Sequence, residues 1–175
     1  MTILIDTDIL SMFAKAHAVA TLVAFLGQTH VAMTPGIRDE IAAPLRYGYT
    51  FPREVLSQVP VVLFTEWVWQ AYERLWAMGS SLGKGELEAI AWCRVEPALF
   101  VTNDTKARQF AEQQGVTVIS LQALLRGLWR SGTQSKAEVQ ALLERIKEAD
   151  QLVVPPEVER EIFDEENDNE PHTPA

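Results

Sequence analysis

The chain has 175 residues, 47% of them hydrophobic, and a formal net charge of −9. That length is one domain on the usual prior, with ample apolar content for a packed core. No run of eighteen apolar residues occurs, so a membrane span is not expected. The first residues are too short for a secretory apolar region and meet acids at Asp6 and Asp8. The lone Cys93 excludes an internal disulfide framework and fits a reducing cytosol. The negative charge is concentrated late. Residues 155–175 hold eight acids and one base, Arg160, whereas residues 1–154 hold 16 acids and 14 bases. The body is therefore near neutral, and charge alone does not suggest a polyanionic ligand.

In chain order, Thr2 to Ile5 is a short apolar run ending at Asp6, the pattern of a strand buried on both faces. Asp8 is read as the N-cap of a helix carrying Ile9, Leu10, Phe13 and Ala14. A second helix spans Ala18 to Leu26 and stops at Gly27. Val31 to Met33 is a strand, and Thr34-Pro35 opens a helix through Ile37 and Ile41. Residues 44–52 read as a loop, and Val59 to Phe64 as strand or extended chain. Glu66 to Met78 is a helix whose aromatic residues Trp69 and Trp76 could supply an interface, with core packing the preferred reading. Residues 79–85 form a glycine- and serine-rich loop before a helix from Glu86 to about Arg94. Ala98 to Thr102 is a strand, Lys106 to Gln114 a helix closed by Gly115, and Val116 to Ile119 the last strand. Helices over 121–129 and 136–149 complete a folded body of residues 1–150. Residues 151–175 are expected to be an acidic, disordered tail. The strand–helix alternation implies an α/β fold with a mostly parallel sheet.

Asp6 and Asp104 each follow the carboxyl end of a predicted strand, the edge where open α/β sheets bind ligands. Taken singly, either could merely cap the next helix. At about 100° per residue, Glu40 lies about 60° from Ile37, beside the apolar stripe. In the later helix Glu86 lies about 40° from Ile90, while Glu88 points well away from it. Glu86 is thus the better inward candidate, with Glu88 as the alternative. Two unit charges about 5 Å apart repel by roughly 3 kcal/mol at an effective dielectric of 20. Four acids at one sheet edge therefore call for a cation or for raised pKa values. Oxygen ligands select a hard ion such as Mg²⁺ or Mn²⁺. His17, His30, His172 and Cys93 have no zinc-site spacing.

These segments together resemble the PIN domain, the fold of many toxin-type ribonucleases in bacterial and archaeal toxin–antitoxin pairs. ILIDTDIL is similar to the opening strand and its acid, and TPGIRDEI to the helix carrying the second acid. LGKGELEAIAWC resembles the glycine–glutamate helix of one subgroup, and LFVTNDTKAR the late strand with its Thr-x-Asp. VTVISLQALLRGLWRSG resembles the closing segment of the same subgroup. Asp8 departs from the pattern, where many members have Asn or Ser. The resemblance covers residues 1 to about 150. It implies a three-layer α/β/α sandwich and hydrolysis of RNA phosphodiesters assisted by one or two Mg²⁺ or Mn²⁺ ions. Asp6, Glu40, Glu86 and Asp104 would be catalytic and would hold metal, with Glu88 a further ligand candidate. Asp8 and Thr102 would hold water or orient Asp104. Lys84, Lys106 and Arg108 would contact substrate phosphate, although a local ion pair with Asp104 is an ordinary reading of Arg108. The resemblance also implies a cytoplasmic homodimer held by a small antitoxin.

Two other readings compete. Asp6-Thr7-Asp8 also fits the Asp-x-Asp of haloacid-dehalogenase-type phosphatases, but that motif needs Thr or Val where Leu10 stands. Alternatively, the chain is a non-catalytic PIN-like binding module. DNA is not excluded as substrate. The stretch from Glu157 to Glu170 could mimic a polyanion and occupy the substrate groove.

Overall fold

The computed structural model describes residues 1–164. They fall into two compact units, Met1–Leu121 and the segment from Gln122 onward. The first is an α/β unit in the element order β1 (Thr2–Ile5), α1 (Thr7–Lys15), α2 (Val19–Leu26), β2 (Val31–Ala32), α3 (Pro35–Ala42), α4 (Pro52–Gln58), α5 (Glu66–Ala77), α6 (Lys84–Val95), β3 (Ala98–Val101), α7 (Thr105–Gln113) and β4 (Val118–Ile119). The four strands form one parallel sheet in the order β2-β1-β3-β4. The fold is the expected α/β/α arrangement around a parallel sheet.

β1 and β3 are the inner strands, paired from Thr2 opposite Ala98 to Ile5 opposite Val101. Leu4, Ile5, Phe100 and Val101 are fully buried. Continuous apolar strands of this kind are what a sheet covered on both faces requires. β1 has β2 on one side and β3 on the other, so the chain leaves β1 in one direction and returns beside it from the other. The gap between the carboxyl ends of β1 and β3 is thus the switch point of the sheet.

Several elements differ from the sequence reading. Helix α1 begins at Thr7 and its N-cap is Asp6, not Asp8. Asp6 has the extended backbone of a cap, and its carboxylate accepts the Thr7 amide at 2.8 Å. Asp8 sits in the first turn, where a negative charge is favoured without capping. Residues 44–52 are not a plain loop: a 3-10 turn covers Ala43–Tyr47, and Pro52 begins α4. Pro44 and Pro52 lie in the opening residues of these elements, where a missing amide costs nothing. Val59 to Phe64 contributes only an isolated bridge, Val61 to Met33. Trp69 and Trp76 are 45% and 60% exposed and do not belong to the core. Val68 and Leu75 supply the buried face of α5, and the aromatic rings run along its flank. Phe64, Trp69, Tyr72 and Trp76 touch in succession, with centroids 4.8, 5.9 and 6.2 Å apart.

The second unit contains α8 (Leu121–Arg130), α9 (Lys136–Asp150) and α10 (Pro156–Phe163). α9 opens on a capping box between Ser135 and Glu138. Residues 156–163 were expected to be tail, yet they form a helix with Ile162 and Phe163 buried. Its last carbonyls, Glu161, Ile162 and Asp164, accept from Arg126, Trp129 and Arg130 of α8. These donors satisfy orphan carbonyls at the helix end, two of them with positive charge. The single turn-and-a-half of amphipathic pattern at Val158, Ile162 and Phe163 is too short to signal this without the partner helix. The rest of the proposed acidic mimic, from Glu165 to Glu170, lies outside the described residues. Truncating Ile162 to Ala should lower the stability of the folded chain by about 2–4 kcal/mol, read from urea unfolding. An unchanged midpoint would mean that α10 is not packed.

Candidate active site

Asp6 leaves β1 buried at the switch point, 4% exposed. Its backbone amide donates to the Val101 carbonyl at 2.9 Å, continuing the strand pairing by one residue. Its second carboxylate oxygen accepts from the Thr102 hydroxyl at 2.7 Å. The same Thr102 oxygen accepts the Asp104 amide at 3.1 Å. Thr102, itself fully buried, therefore ties the two acids of the adjacent strands together. Asp104 caps α7, accepting the Ala107 amide at 2.7 Å.

The other acids arrive on helices. Glu40, near the end of α3, accepts from the Thr7 hydroxyl at 2.5 Å and from the Gly85 amide at 3.4 Å. Glu86, in the first turn of α6, accepts the Gly83 amide at 2.8 Å, the backward half of a capping box. α3 and α6 can approach closely because glycines face each other. A Cβ on Gly36 would stand 2.8 Å from a Glu88 carboxylate oxygen and 3.0 Å from Gly85. A Cβ on Gly85 would stand 2.8 Å from the Ile37 side chain.

The electrostatics identify which acids share a field. Asp6 is pushed up from 3.8 to about 7, first by burial and then by the charges of Glu86 and Asp8, against the Thr102 and Thr7 donors. Glu86 is also raised, by burial first, then by Asp104, Glu40 and Asp8, against the Gly83 amide. Asp6, Asp8, Glu40, Glu86 and Asp104 thus form one coupled group. Each is drawn from a segment ending at, or starting from, the same sheet edge. Among the described residues, no three His, Cys, Asp or Glu side chains stand as a ready-made cage for one ion. The acids are near one another but are held by their own backbone donors.

Glu88 has a different place. The helical-wheel argument put it away from the buried side of α6, but it is fully buried. The reason is that α6 packs against α3, α5 and β3 together, so an apolar stripe does not mark its only inner face. One Glu88 oxygen accepts the Gly36 amide at 2.6 Å, an orphan donor in the first turn of α3. The other has no hydrogen-bond partner among the described residues and lies 3.5 Å from the Lys84 ammonium. Glu88 therefore joins α6 to the start of α3, and Lys84 is engaged there. Lys106 and Arg108 make no ion pair among the described residues, so the local pairing of Arg108 with Asp104 is not formed. Lys106 is exposed and Arg108 half-buried.

The sequence reading did not single out Thr7, Gly83 or Gly85. Thr7 was visible as the middle of Asp-Thr-Asp, and the two glycines as the start of Gly-Lys-Gly-Glu. The roles of Thr7 and Gly85 depend on contacts with Glu40 across 33 and 45 residues that spacing does not reveal, whereas the Gly83 contact with Glu86 is local.

A family model described as a PIN domain matches residues 2–168. The chain belongs to the PIN domain family. PIN domains are generally nucleases that cleave phosphodiester bonds with divalent metal ions. No curated protein matches the chain, and no solved structure does. The matched residues run past 150 and include α10. Membership also leaves no ground for the phosphatase reading of Asp-Thr-Asp. No helix among the described residues is long and apolar enough to cross a membrane.

Two outcomes follow from this geometry. Folded Asp6 holds a proton between pH 4 and about 7 that the unfolded chain has released. Its stabilising contribution is complete below pH 4 and is lost as pH rises through that interval, by on the order of 4 kcal/mol. Chemical denaturation in EDTA should show stability falling from pH 5 to pH 8, and Asp6→Asn should flatten that slope. A slope unaffected by the substitution would mean that Asp6 titrates normally. Separately, Gly85→Ala should cost about 1–3 kcal/mol by forcing α3 from α6. Thermal unfolding checks it, and a neutral result would mean that the two helices are not so tightly apposed.

Proposed function

We propose that this PIN protein is a metal-dependent endoribonuclease, acting in the cytoplasm as the toxin of a toxin–antitoxin pair. The observation that carries the reading is the coupled acid group at the switch point. Five carboxylates are brought to one edge with a buried aspartate held near neutral pKa. The donor set fits a hard cation such as Mg²⁺ or Mn²⁺, since every side chain offered is a carboxylate oxygen. Asp6, Glu40, Glu86 and Asp104 are the residues that would hold it. Glu86 is preferred to Glu88 because its charge acts on Asp6 and it feels that of Asp104, whereas Glu88 is taken up by the Gly36 amide and Lys84. Held by Asp6, Glu40, Glu86 and Asp104, a divalent cation would supply a more acidic water and positive charge for the scissile phosphate.

The protein's own groups act around that chemistry. Thr102 holds the Asp6 carboxylate by one oxygen and Asp104 by its amide, fixing their separation. Thr7 holds Glu40 in the same way from the first turn of α1. Asp8, exposed beside Asp6, adds negative charge and can hold a water at the rim. Lys106 and Arg108, on the first turns of α7, are the cations best set to meet a substrate phosphate. Lys84 would join them only by loosening its contact with Glu88. The antitoxin and a homodimer are carried over from the family resemblance. The exposed Trp67, Trp69 and Trp76 of α5 support an interface on that helix.

Purified protein should cleave single-stranded RNA in Mn²⁺ or Mg²⁺ and stop in EDTA. Metal-ion stabilisation of several kcal/mol corresponds to a loss of about a thousandfold on removing a ligand. Asp6→Asn, Glu86→Gln and Asp104→Asn should each approach that loss, while Glu88→Gln should retain more activity and lose stability. Cleavage of DNA alone, or equal rates with and without chelator, would overturn the proposal.

A further inference from the structure

A second polar surface adjoins the acids. The loop Ser80-Ser81-Leu82 and the α7 residues Lys106, Gln109, Phe110 and Gln113 line a hollow of about 280 Å³. Its two walls each continue directly into the acid group. Leu82 precedes Gly83, whose amide holds Glu86, and Lys106 follows two residues after Asp104. Lys106, Gln109 or Phe110, and Gln113 recur at helical spacing, so one face of α7 presents all four side chains. Lys106, Gln109 and Gln113 are exposed, and their side chains make no hydrogen bond or ion pair among the described residues. Phe110 is half-buried, which leaves part of its ring to the hollow.

We propose that this hollow is a nucleotide subsite that seats one unpaired base of a single-stranded RNA beside the bond to be cut. This rests on the nuclease reading above. The chemistry of the lining matches the parts of a nucleotide. Phe110 offers a ring for stacking, the commonest sequence-tolerant grip on an unpaired base. Gln109 and Gln113 each carry a donor and an acceptor, the pairing that reads the edge of a base. Lys106 supplies charge for the phosphate on the side nearer Asp104, and the Ser81 hydroxyl a neutral donor opposite. The size is just under that of sites enclosing a whole drug-like ligand, so it takes one nucleotide and not a duplex. A protein segment would be expected to seek a larger apolar surface, which this lining lacks.

The test uses the full chain and fluorescein-labelled pentamers of A, C, G and U. Binding is read by anisotropy with phosphorothioate-linked oligonucleotides in Mn²⁺, and cleavage by kcat and KM with ordinary ones. Alanine substitution of Gln109 and Gln113 together keeps good helix formers on an exposed face, so folding is preserved. The parent should prefer one base. The double variant should raise Kd and KM about tenfold, flatten that preference, and leave kcat within about twofold. Lys106→Ala should weaken all four pentamers alike and reduce the salt dependence of binding. If the parent cleaves RNA and the double variant binds and cleaves identically, the subsite is wrong and the nuclease reading stands. If the parent binds with a preference that the variant loses, yet cuts nothing, the subsite stands and the nuclease reading falls. A parent that binds none of the pentamers overturns the subsite outright.

Discussion

The hydrogen bond from Thr102 to Asp6 is the constraint on which the site depends. It links the first residues beyond two paired inner strands, where both groups are almost completely removed from water. A carboxylate in such a place is costly unless it finds donors. Among the described residues Asp6 finds two, the Thr102 hydroxyl and the Thr7 amide, and its pKa stays high. The fold thus secures the position of this acid without fully compensating its charge. That is the condition in which a cation, when one is present, gains most.

The remaining acids show how negative charge can be gathered without unfolding the chain. Asp6, Asp104 and Glu86 each take an amide at or beside the start of a helix, namely α1, α7 and α6. Glu40 reaches across from α3 to the Gly85 amide of α6. Helix N-termini carry partial positive charge and unsatisfied donors, so each acid is stabilised locally while being aimed at a common edge. Glu88 repeats the device one layer away, on the Gly36 amide of α3. The two glutamates of Gly-Glu-Leu-Glu, two residues apart, therefore face different problems. One shares the acid field, and the other holds the helix that delivers Glu40. Both need the close glycine contact between α3 and α6.

Much of this was legible in the sequence because the signals were local. The run Thr2 to Ile5 ending at Asp6, and a similar one ending before Thr102 and Asp104, placed those acids at strand ends. Thr34-Pro35 fixed the start of α3 by cap and proline chemistry alone. What failed was information about neighbours. Asp6 and Asp8 are equally good caps by composition, and only the length of β1 decides between them. Glu88 ranked behind Glu86 as the inward candidate because a helical wheel assumes one buried face, and α6 has several packed sides. For Trp69 and Trp76 core packing was preferred to an interface, yet their positions on α5 put them beside, not on, the Val68 and Leu75 stripe. α10 escaped because its two buried residues acquire meaning only against the arginines and tryptophan of α8.

The net charge, which at first argued against a polyanionic ligand, takes a different meaning once the acids are located. Five of the acids of residues 1–154 belong to one coupled group, so the rest of that segment carries a positive excess. Three cations, Lys84, Lys106 and Arg108, stand on the helices that bear Glu86 or follow Asp104. Without bound cation the acid field opposes a phosphate at close range, where screening by salt is weak. On the proposed function, a bound cation would offset that field, and Lys106 and Arg108 would then add to the attraction for phosphate. On that reading, phosphate affinity and metal loading would be linked through this one electrostatic field.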